Sequence, residues 1–566
     1  MYILGVSAFY HDSASVLIKN GCIVYAIEEE RFTRKKHDNR FPFRAINFCI
    51  KSEGISINDV DYIAYYEKPL LKFERILKMF VETYPLSFKP FLKSIPEWLT
   101  HKIKVDHYFR KVLNYKGKIF FIPHHLSHAA ASFYPSSFKD AAILTIDGVG
   151  EYQTTGLWIG NSNKIIPLKS ISFPHSLGLL YSTFTSFLGF RINDSEYKVM
   201  GLAAYGKPTY SENIYKILSI KDDGSFELNM KYFSFRESSQ MWNKKFEKLF
   251  GKPRSWNQPI TERDKNLASS IQEVIENIYF KILNHLHQIT KCTNVCISGG
   301  VALNAAANRG IYQKSPFKNA YILGAAGDSG AAAGAALFTQ HHILDNKTRH
   351  YLDHLYLGSS YDNREIESTL KRHNVNYKKF GDEDKLIEHA ALLLSQNKVV
   401  GWFQNRMEFG PRALGSRSIL ANPKQIFMKE KVNKIKMREQ FRPFAGSILQ
   451  EKVHEYFDVP EKNHISPFMT FCFKAKTKGI EELAAIIHKD NTCRIQTVNQ
   501  RNSLYYKLIK KFYEITGTPC ILNTSFNLKD EPIVENPKQA IEDFLKTEMD
   551  YMIMGDFLIS KLSYKE

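Results

Sequence analysis

No run of about 18 apolar residues occurs in this chain, which argues against a membrane-spanning helix. Cysteine is scarce: seven residues, an odd number, scattered over 566 positions. That speaks against a disulfide framework. The nearest pair is Cys292 and Cys296, and Cys296 falls inside an apolar strand pattern, so buried reduced thiols are expected. The N-terminal Met1-Tyr2-Ile3-Leu4-Gly5 has no basic region, and His11-Asp12 interrupts the apolar stretch. No signal peptide is expected, and a cytoplasmic location is. Acidic residues are short as well: 58 against 77 Lys and Arg, a formal net charge of +19. Nucleic acid, an anionic membrane surface or anionic small substrates would all suit that charge. The excess is spread along the chain with no dense basic block, so no stable nucleic-acid partner is expected.

What is present has the composition of a globular protein, 44% hydrophobic and 24% charged, and its length predicts two or more domains. A faint repeat organises the N-terminal part. Ile3–Ser7 reads as a strand entering the polar segment His11–Ser15, followed by strands around the turn Asn20-Gly21. Ala141–Ile146 likewise enters Asp147-Gly148-Val149-Gly150, followed by two strands around Gly160–Asn163. Strand, acidic loop, strand, turn, strand, used twice, resembles the duplicated actin and sugar-kinase nucleotide-binding fold. Residues 67–118 read as an inserted helical segment rich in aromatic and basic residues; a membrane-surface or partner-binding role competes there with a plain helical cap. Ala268–Ile289 reads as a long helix. It feeds a strand and the loop Ser298-Gly299-Gly300, and a second strand, Ala320–Leu323, enters the loop around Gly327-Asp328. Asp345–Asn363 is polar and irregular, a domain boundary. The expected division is 1–355 and 356–566, and the fold class is α/β throughout.

Four constellations carry chemistry. Pro123-His124-His125-Leu126-Ser127-His128 places His124 and His128 at i and i+4 of a helix. That spacing suits two imidazoles on one metal ion, with Asp147 and Asp328 as acidic completions. A mixed His/carboxylate set suits divalent iron, manganese or zinc rather than calcium. The competing reading is a structural His pair. The glycine loops, with Ser298, Gly299, Gly300 and Asn304, either hold the phosphate or ribose of a nucleotide or serve close packing. His11, beside Asp12, is either a general base or a turn residue. Arg412, Arg417, Arg442 and Arg494, with Asn523 and Ser525, offer guanidinium forks and neutral donors for a second anion site. Taken singly, each Arg reads first as a surface salt-bridge partner; it is the set together that suggests the anion site.

These segments, in order, resemble the NodU/CmcH/TobZ family of O-carbamoyltransferases nearly end to end: GVSAFYHDSAS, EEERFTRKKHD, HHLSHAAASFYPS, TIDGVGE, KVMGLAAYGKP, SGGVALN, GDSGAAAGAA, FGPRALGSRSILANP, FRPFAGSIL and ILNTSFNLKDEPIVENP. The resemblance implies a metal-binding N-terminal domain on the actin/sugar-kinase fold and a YrdC-like C-terminal domain. The latter would make carbamoyl-adenylate from carbamoyl phosphate and ATP with Mg2+. The former would pass the carbamoyl group to an acceptor hydroxyl. It implies His124, His128, Asp147 and Asp328 as ligands of Fe2+, with Mn2+ or Zn2+ as alternatives. His11 would be the catalytic His with Asp12 beside it, and the adenylate contacts would lie among Arg412, Arg417, Arg442, Arg494, Asn523 and Ser525. The acceptor would be a small molecule, natural product or glycan; a homodimer stays open. Two other enzymes compete, a sugar or small-molecule kinase on the same N-terminal fold and a tRNA threonylcarbamoyl-type transferase.

Overall fold

The computed structural model describes residues 1–462 and 464–561. The chain forms two compact units. One comprises Met1–Glu29 with His37–Leu352, the other Glu30–Lys36 with the chain from Asp353 onward.

The N-terminal unit contains two five-stranded sheets of the same strand order. In the first, β1 (Tyr2–Ser7), β2 (Ala14–Lys19) and β3 (Cys22–Glu28) form an antiparallel meander. β4 (Tyr62–Tyr65) and β5 (Lys118–Phe121) extend it in parallel from β1. In the second, β6 (Asp140–Ile146), β7 (Gln153–Asn161) and β8 (Lys164–Ser172) make the meander. A small hairpin follows, β9 (Leu218–Ile220) and β10 (Phe226–Leu228). β11 (Asn294–Ser298) and β12 (Asn319–Tyr321) then extend the second sheet in parallel from β6. Local chemistry explains the meanders. Asn20 and Gly21 both take positive φ, 50° and 86°, as a tight turn between right-twisted strands requires.

Between the sheets' first strands run the helices that matter for function. His124–Phe133 starts directly after β5, and Asp328–Phe338 starts at the glycine loop after β12. Seven of the eleven residues of the second are Ala or Gly, and that lets it approach closely. A Cβ on Gly334 would sit 1.8 Å from the Ser127 carbonyl oxygen of the first helix, and one on Gly5 of β1 would sit 2.0 Å from that of Ala332. Small residues therefore bring the start of one helix, with Asp328, against the face of the other that carries His124 and His128. The long helix runs Glu262–Thr290, one and a half turns earlier than its apolar pattern suggests. Thr261 and Asp264 form a capping box that opens it. The inserted segment holds helices Pro69–Thr83 and Phe88–Glu97, packed at their near ends through stacked Phe80 and Phe91 rings 3.9 Å apart.

The C-terminal unit is a mixed α/β structure with a nine-stranded sheet. Its strands in chain order are β13 (Asn376–Lys379), β14 (Val400–Phe403), β15 (Arg417–Ala421), β16 (Ala445–Leu449), β17 (Cys472–Lys474), β18 (Thr492–Val498), β19 (Cys520–Ser525), β20 (Tyr551–Met554) and β21 (Phe557–Ser560). The spatial order is β13-β21-β20-β14-β15-β19-β16-β18-β17. Helices Glu383–Ser395 and Ser503–Thr516 bury Leu394, Leu508 and Phe512 against Trp402 and its sheet neighbours. Glu30–Lys36 belongs to this unit: Arg31 donates to the Gly410 carbonyl at 2.8 Å, and Arg34 to those of Pro532 and Ile533 at 2.8 and 3.0 Å. Among the described residues, no helix is long and apolar enough to cross a membrane.

Because Gly334 stands where no side chain fits, Gly334→Ala is expected to cost about 1–3 kcal/mol through forced helix separation, read as a lower urea midpoint. Gly381→Ala, at a position with open space around it, should leave the midpoint unchanged.

Candidate metal centre

His124 and His128 project from successive turns of helix His124–Phe133. Its N-terminus is fixed by the Glu151 carboxylate, which accepts the His124 backbone N–H at 3.0 Å. The imidazole Nε2 atoms stand 3.1 Å apart. Asp147, in the turn that ends β6, brings Oδ2 to 2.9 Å from His124 Nε2 and 3.6 Å from His128 Nε2. Asp328, the first residue of its helix, brings Oδ1 to 3.7 and 3.5 Å from the same two atoms. One ligand atom from each of the four residues lies within 4.8 Å of all the others.

All four side chains are buried, and their bonding tests whether a metal fits. Both Asp328 oxygens are enclosed without a hydrogen-bond partner among the described residues. A buried carboxylate is costly unless paired, hydrogen-bonded or coordinated to a metal. Asp147 keeps Oδ1 on the Gly300 backbone N–H at 3.0 Å, leaving Oδ2 facing the histidines. Ser298 Oγ lies 3.4 Å from His128 Nδ1, the outer-face support that orients a ligating imidazole and presents Nε2. Two imidazole nitrogens and two carboxylate oxygens converging on one point fit a divalent transition metal. Electrostatics agree. Burial alone would favour the neutral ring of His128, but Asp147 and Asp328 outweigh it and push its pKa up to about 9. Burial likewise opposes the charge on Asp147, yet the two histidines hold its carboxyl well below the usual range. His125 points away, its Nδ1 on Thr145 Oγ1 at 2.9 Å.

His11 stands at the edge of this cluster, Nε2 4.0 Å from Asp328 Oδ2. Its Nδ1 faces Asp12 Oδ2 at 2.9 Å. Asp12 is clamped from the other side by His37 Nδ1 at 2.6 Å, and His37 Nε2 meets Asp194 at 2.9 Å. Asp12 thus braces the His11 ring. Burial would lower the His11 pKa, but Asp328 and Asp12 raise it to about 9. His37 and Asp194 went unread in the sequence, because the links from Asp12 to His37 and from His37 to Asp194 span 25 and 157 positions.

The glycine loop after β11 serves the cluster directly. Gly299 needs its φ of 98°, since a Cβ there would lie 2.1 Å from the Ile146 carbonyl oxygen. Gly300 supplies the N–H on Asp147. Asn304 caps the short helix that follows and exchanges hydrogen bonds with Gln272 at 3.0 and 3.1 Å, so its amide is occupied within the fold.

In the C-terminal unit the predicted anion residues separate. Arg417 is fully buried and spends its guanidinium on the carbonyls of Gln404, Asn405, Ser416 and Ser359, stacked 3.6 Å over Phe403. It braces the loop rather than presenting a fork to a ligand. Asn523 is buried, with Nδ2 on Ser447 Oγ at 3.0 Å, and Ser525 Oγ donates to Asn527 at 2.6 Å. Arg412 is half-buried in the loop between Gly410 and Gly415, whose φ values are 108° and 103°. Arg442 and Arg494 lie within each other's field. They share it with Lys436, which the sequence reading missed. Burial first, then Arg438 and Arg442, push the Lys436 pKa well down, while its Nζ donates to Asn527 and to the Ser525 carbonyl. Its position in Ile435-Lys436-Met437-Arg438 looks like a solvated helix end, so no local signal marked it.

The family model for the carbamoyltransferase N-terminus matches residues 2–337, and that for the carbamoyltransferase C-terminus matches residues 391–561. An uncharacterized protein of Synechocystis is 44% identical over 99% of this chain and 97% of its own length. The nodulation protein NolNO of Sinorhizobium fredii is 35% identical over 98% of this chain and 80% of its own. An uncharacterized protein of Methanocaldococcus jannaschii is 33% identical over 98% of each.

Asp328→Asn is expected to weaken metal binding by more than the roughly 10–100-fold that loss of an outer-shell partner costs, with unchanged circular dichroism; titration with Fe2+, Mn2+ and Zn2+ checks it. A ligating imidazole must shed its proton, and without metal Asp147 and Asp328 push the His128 pKa up to about 9. Affinity should therefore rise with pH, by about tenfold per unit for each proton displaced, and calorimetry in buffers of different ionisation enthalpy should record proton release.

Proposed function

The chain belongs to the carbamoyltransferase family, and from this membership and the geometry of the metal centre we propose that it is an O-carbamoyltransferase working through carbamoyl-adenylate. Carbamoyl phosphate, ATP and water give carbamoyl-adenylate, pyrophosphate and phosphate. An acceptor hydroxyl then displaces AMP from the carbamoyl carbon. In this reading the N-terminal unit is an actin/sugar-kinase-like duplication, supported by two sheets with the same order and strand senses. The C-terminal unit is the YrdC-like adenylate-forming domain, with the division near residue 355.

The observation that carries the reading is the approach of His11 to the four-residue cluster, Nε2 to Asp328 Oδ2 at 4.0 Å. With Nδ1–H donating to Asp12, the ring presents Nε2 as the basic atom. It takes the acceptor's proton as the C–O bond forms. Asp12, held by His37, keeps the ring from turning. His124, His128, Asp147 and Asp328 would hold a divalent metal, iron first, which supplies Lewis-acid polarisation of the bound phosphate and carbonyl oxygens and offsets the Asp328 charge that raises His11. The Gly299 and Gly300 N–H groups are already taken, by the Ala326 carbonyl and by Asp147 Oδ1, so this loop holds the metal ligands in place and does not offer those donors to the adenylate phosphate. Arg442 and Arg494 suit carbamoyl phosphate and the departing pyrophosphate in the C-terminal unit, with ATP carrying Mg2+. Carbamoyl phosphate and its adenylate both decompose in water, so holding them in separate, partly enclosed sites protects the activated group. The acceptor is a small molecule, natural product or glycan.

Incubation with ATP, carbamoyl phosphate and a divalent metal should yield carbamoyl-adenylate by mass spectrometry. An acceptor that gains a phosphoryl mass, or carbamoyl phosphate left unconsumed by metal-loaded protein, would contradict the proposal. Arg494→Gln is expected to slow carbamoyl-adenylate formation by about 10²–10³. His11→Asn should leave that first step intact and slow transfer to an acceptor by about 10²–10⁴.

A further inference from the structure

The helix Pro69–Thr83 carries a group that the proposed chemistry does not use. Arg75 is only 9% exposed, and its Nε and Nη1 are enclosed with no hydrogen-bond partner among the described residues. Its guanidinium lies over the Phe173 ring, 5.0 Å from the centroid. The acidic groups around it are taken. Glu67 receives Lys72 Nζ at 2.5 Å. Glu151 accepts the backbone N–H groups of Lys68 and His124 at 2.8 and 3.0 Å. Glu74 accepts the Tyr152 hydroxyl at 3.2 Å. Arginine has five donors and stays charged in proteins, so a buried one with idle N–H groups calls for an anion. Burial does depress its pKa, against the opposing fields of Tyr10, Glu67 and Glu151.

Position gives this group a context. Lys72, three residues earlier on the same helix face, lies 4.7 Å from the centre of the Tyr10 ring. The Tyr10 and His11 rings are 4.6 Å apart, and His11 reaches Asp328 at 4.0 Å. Lys68, at the start of the helix, shares Glu151 with the first turn of the ligand-bearing helix. The inserted helix is thereby anchored beside both the candidate base and the metal ligands.

We infer that Arg75 forms an oxyanion subsite next to the metal centre, receiving a phosphate or carboxylate of a molecule bound there. A guanidinium meets either group through two parallel N–H donors. What that molecule is rests on the proposed reaction. The anion is either the phosphate of the carbamoyl donor or an acid group on the acceptor.

Three probes separate these sources: AMP, inorganic phosphate and succinate, titrated calorimetrically into the metal-loaded full chain and into Arg75→Gln and Arg75→Lys. At least one probe should bind the wild-type protein about tenfold or more tighter than Arg75→Gln, with Arg75→Lys between, as loss of a charge-assisted pair predicts. A difference confined to AMP and phosphate assigns the donor; one seen with succinate assigns an acidic acceptor. Equal binding of all three probes to wild type and both variants, or binding of none, overturns the inference. If Arg75→Gln does not fold, judged by circular dichroism and metal content, the comparison with Arg75→Lys decides by the same criterion. Carbamoyl-adenylate formation by the wild-type protein is assayed in parallel. Its absence would count against the proposed reaction, not against the subsite.

Discussion

Two buried carboxylates and two buried imidazoles, drawn from chain positions 124 to 328, share one small volume. That convergence is the constraint on which the N-terminal unit depends. Left to itself it is electrostatically awkward: Asp328 has no hydrogen-bond partner among the described residues, and the histidine nitrogens face each other at 3.1 Å. A divalent cation would resolve every part of it at once, so the donor set fits a candidate metal site. The fold is arranged to deliver it. Each ligand sits at an element terminus or on the first turns of a helix, and the glycines that permit the approach lie in β1, in the Asp328–Phe338 helix and in the loop after β11.

Around that centre the residues divide by duty. Ser298 and Gly300 orient ligands, Asp12 and His37 orient His11, and Glu151 fixes the starts of two helices. A site held through partners in this way keeps its geometry without depending on loop rigidity. The C-terminal unit follows the same logic differently. Glu408 accepts the N–H groups of Leu414, Ser416 and Arg417 and so shapes the loop that carries Arg412.

Much of the centre was legible in the sequence because its residues occupy positions with strong local signals. His124 and His128 have helical spacing, Asp147 follows an apolar strand, and Asp328 opens an Ala/Gly helix. Asn20-Gly21 marked its hairpin for the same reason. The rest depended on distant partners. Arg417 looks like an anion fork until the carbonyls of Gln404 and Ser359 are seen to consume it. Lys436 looks like a surface lysine until Asn527, 91 residues on, receives it. Arg75 sits in a basic amphipathic helix where charge normally faces water, and only the fold buries it over the Phe173 ring. The run Glu30–Lys36 gives no local sign that its arginines bond to backbone carbonyls nearly 400 or more positions away.

The most direct test of the central claim is X-ray absorption at the metal edge of reconstituted protein. The account predicts one metal per chain in a first shell of nitrogen and oxygen only, with the outer scattering of two imidazoles, and loss of that signature when His128 is replaced by Ala. Sulfur in the first shell, or an unchanged spectrum and stoichiometry in the His128→Ala protein, would contradict it.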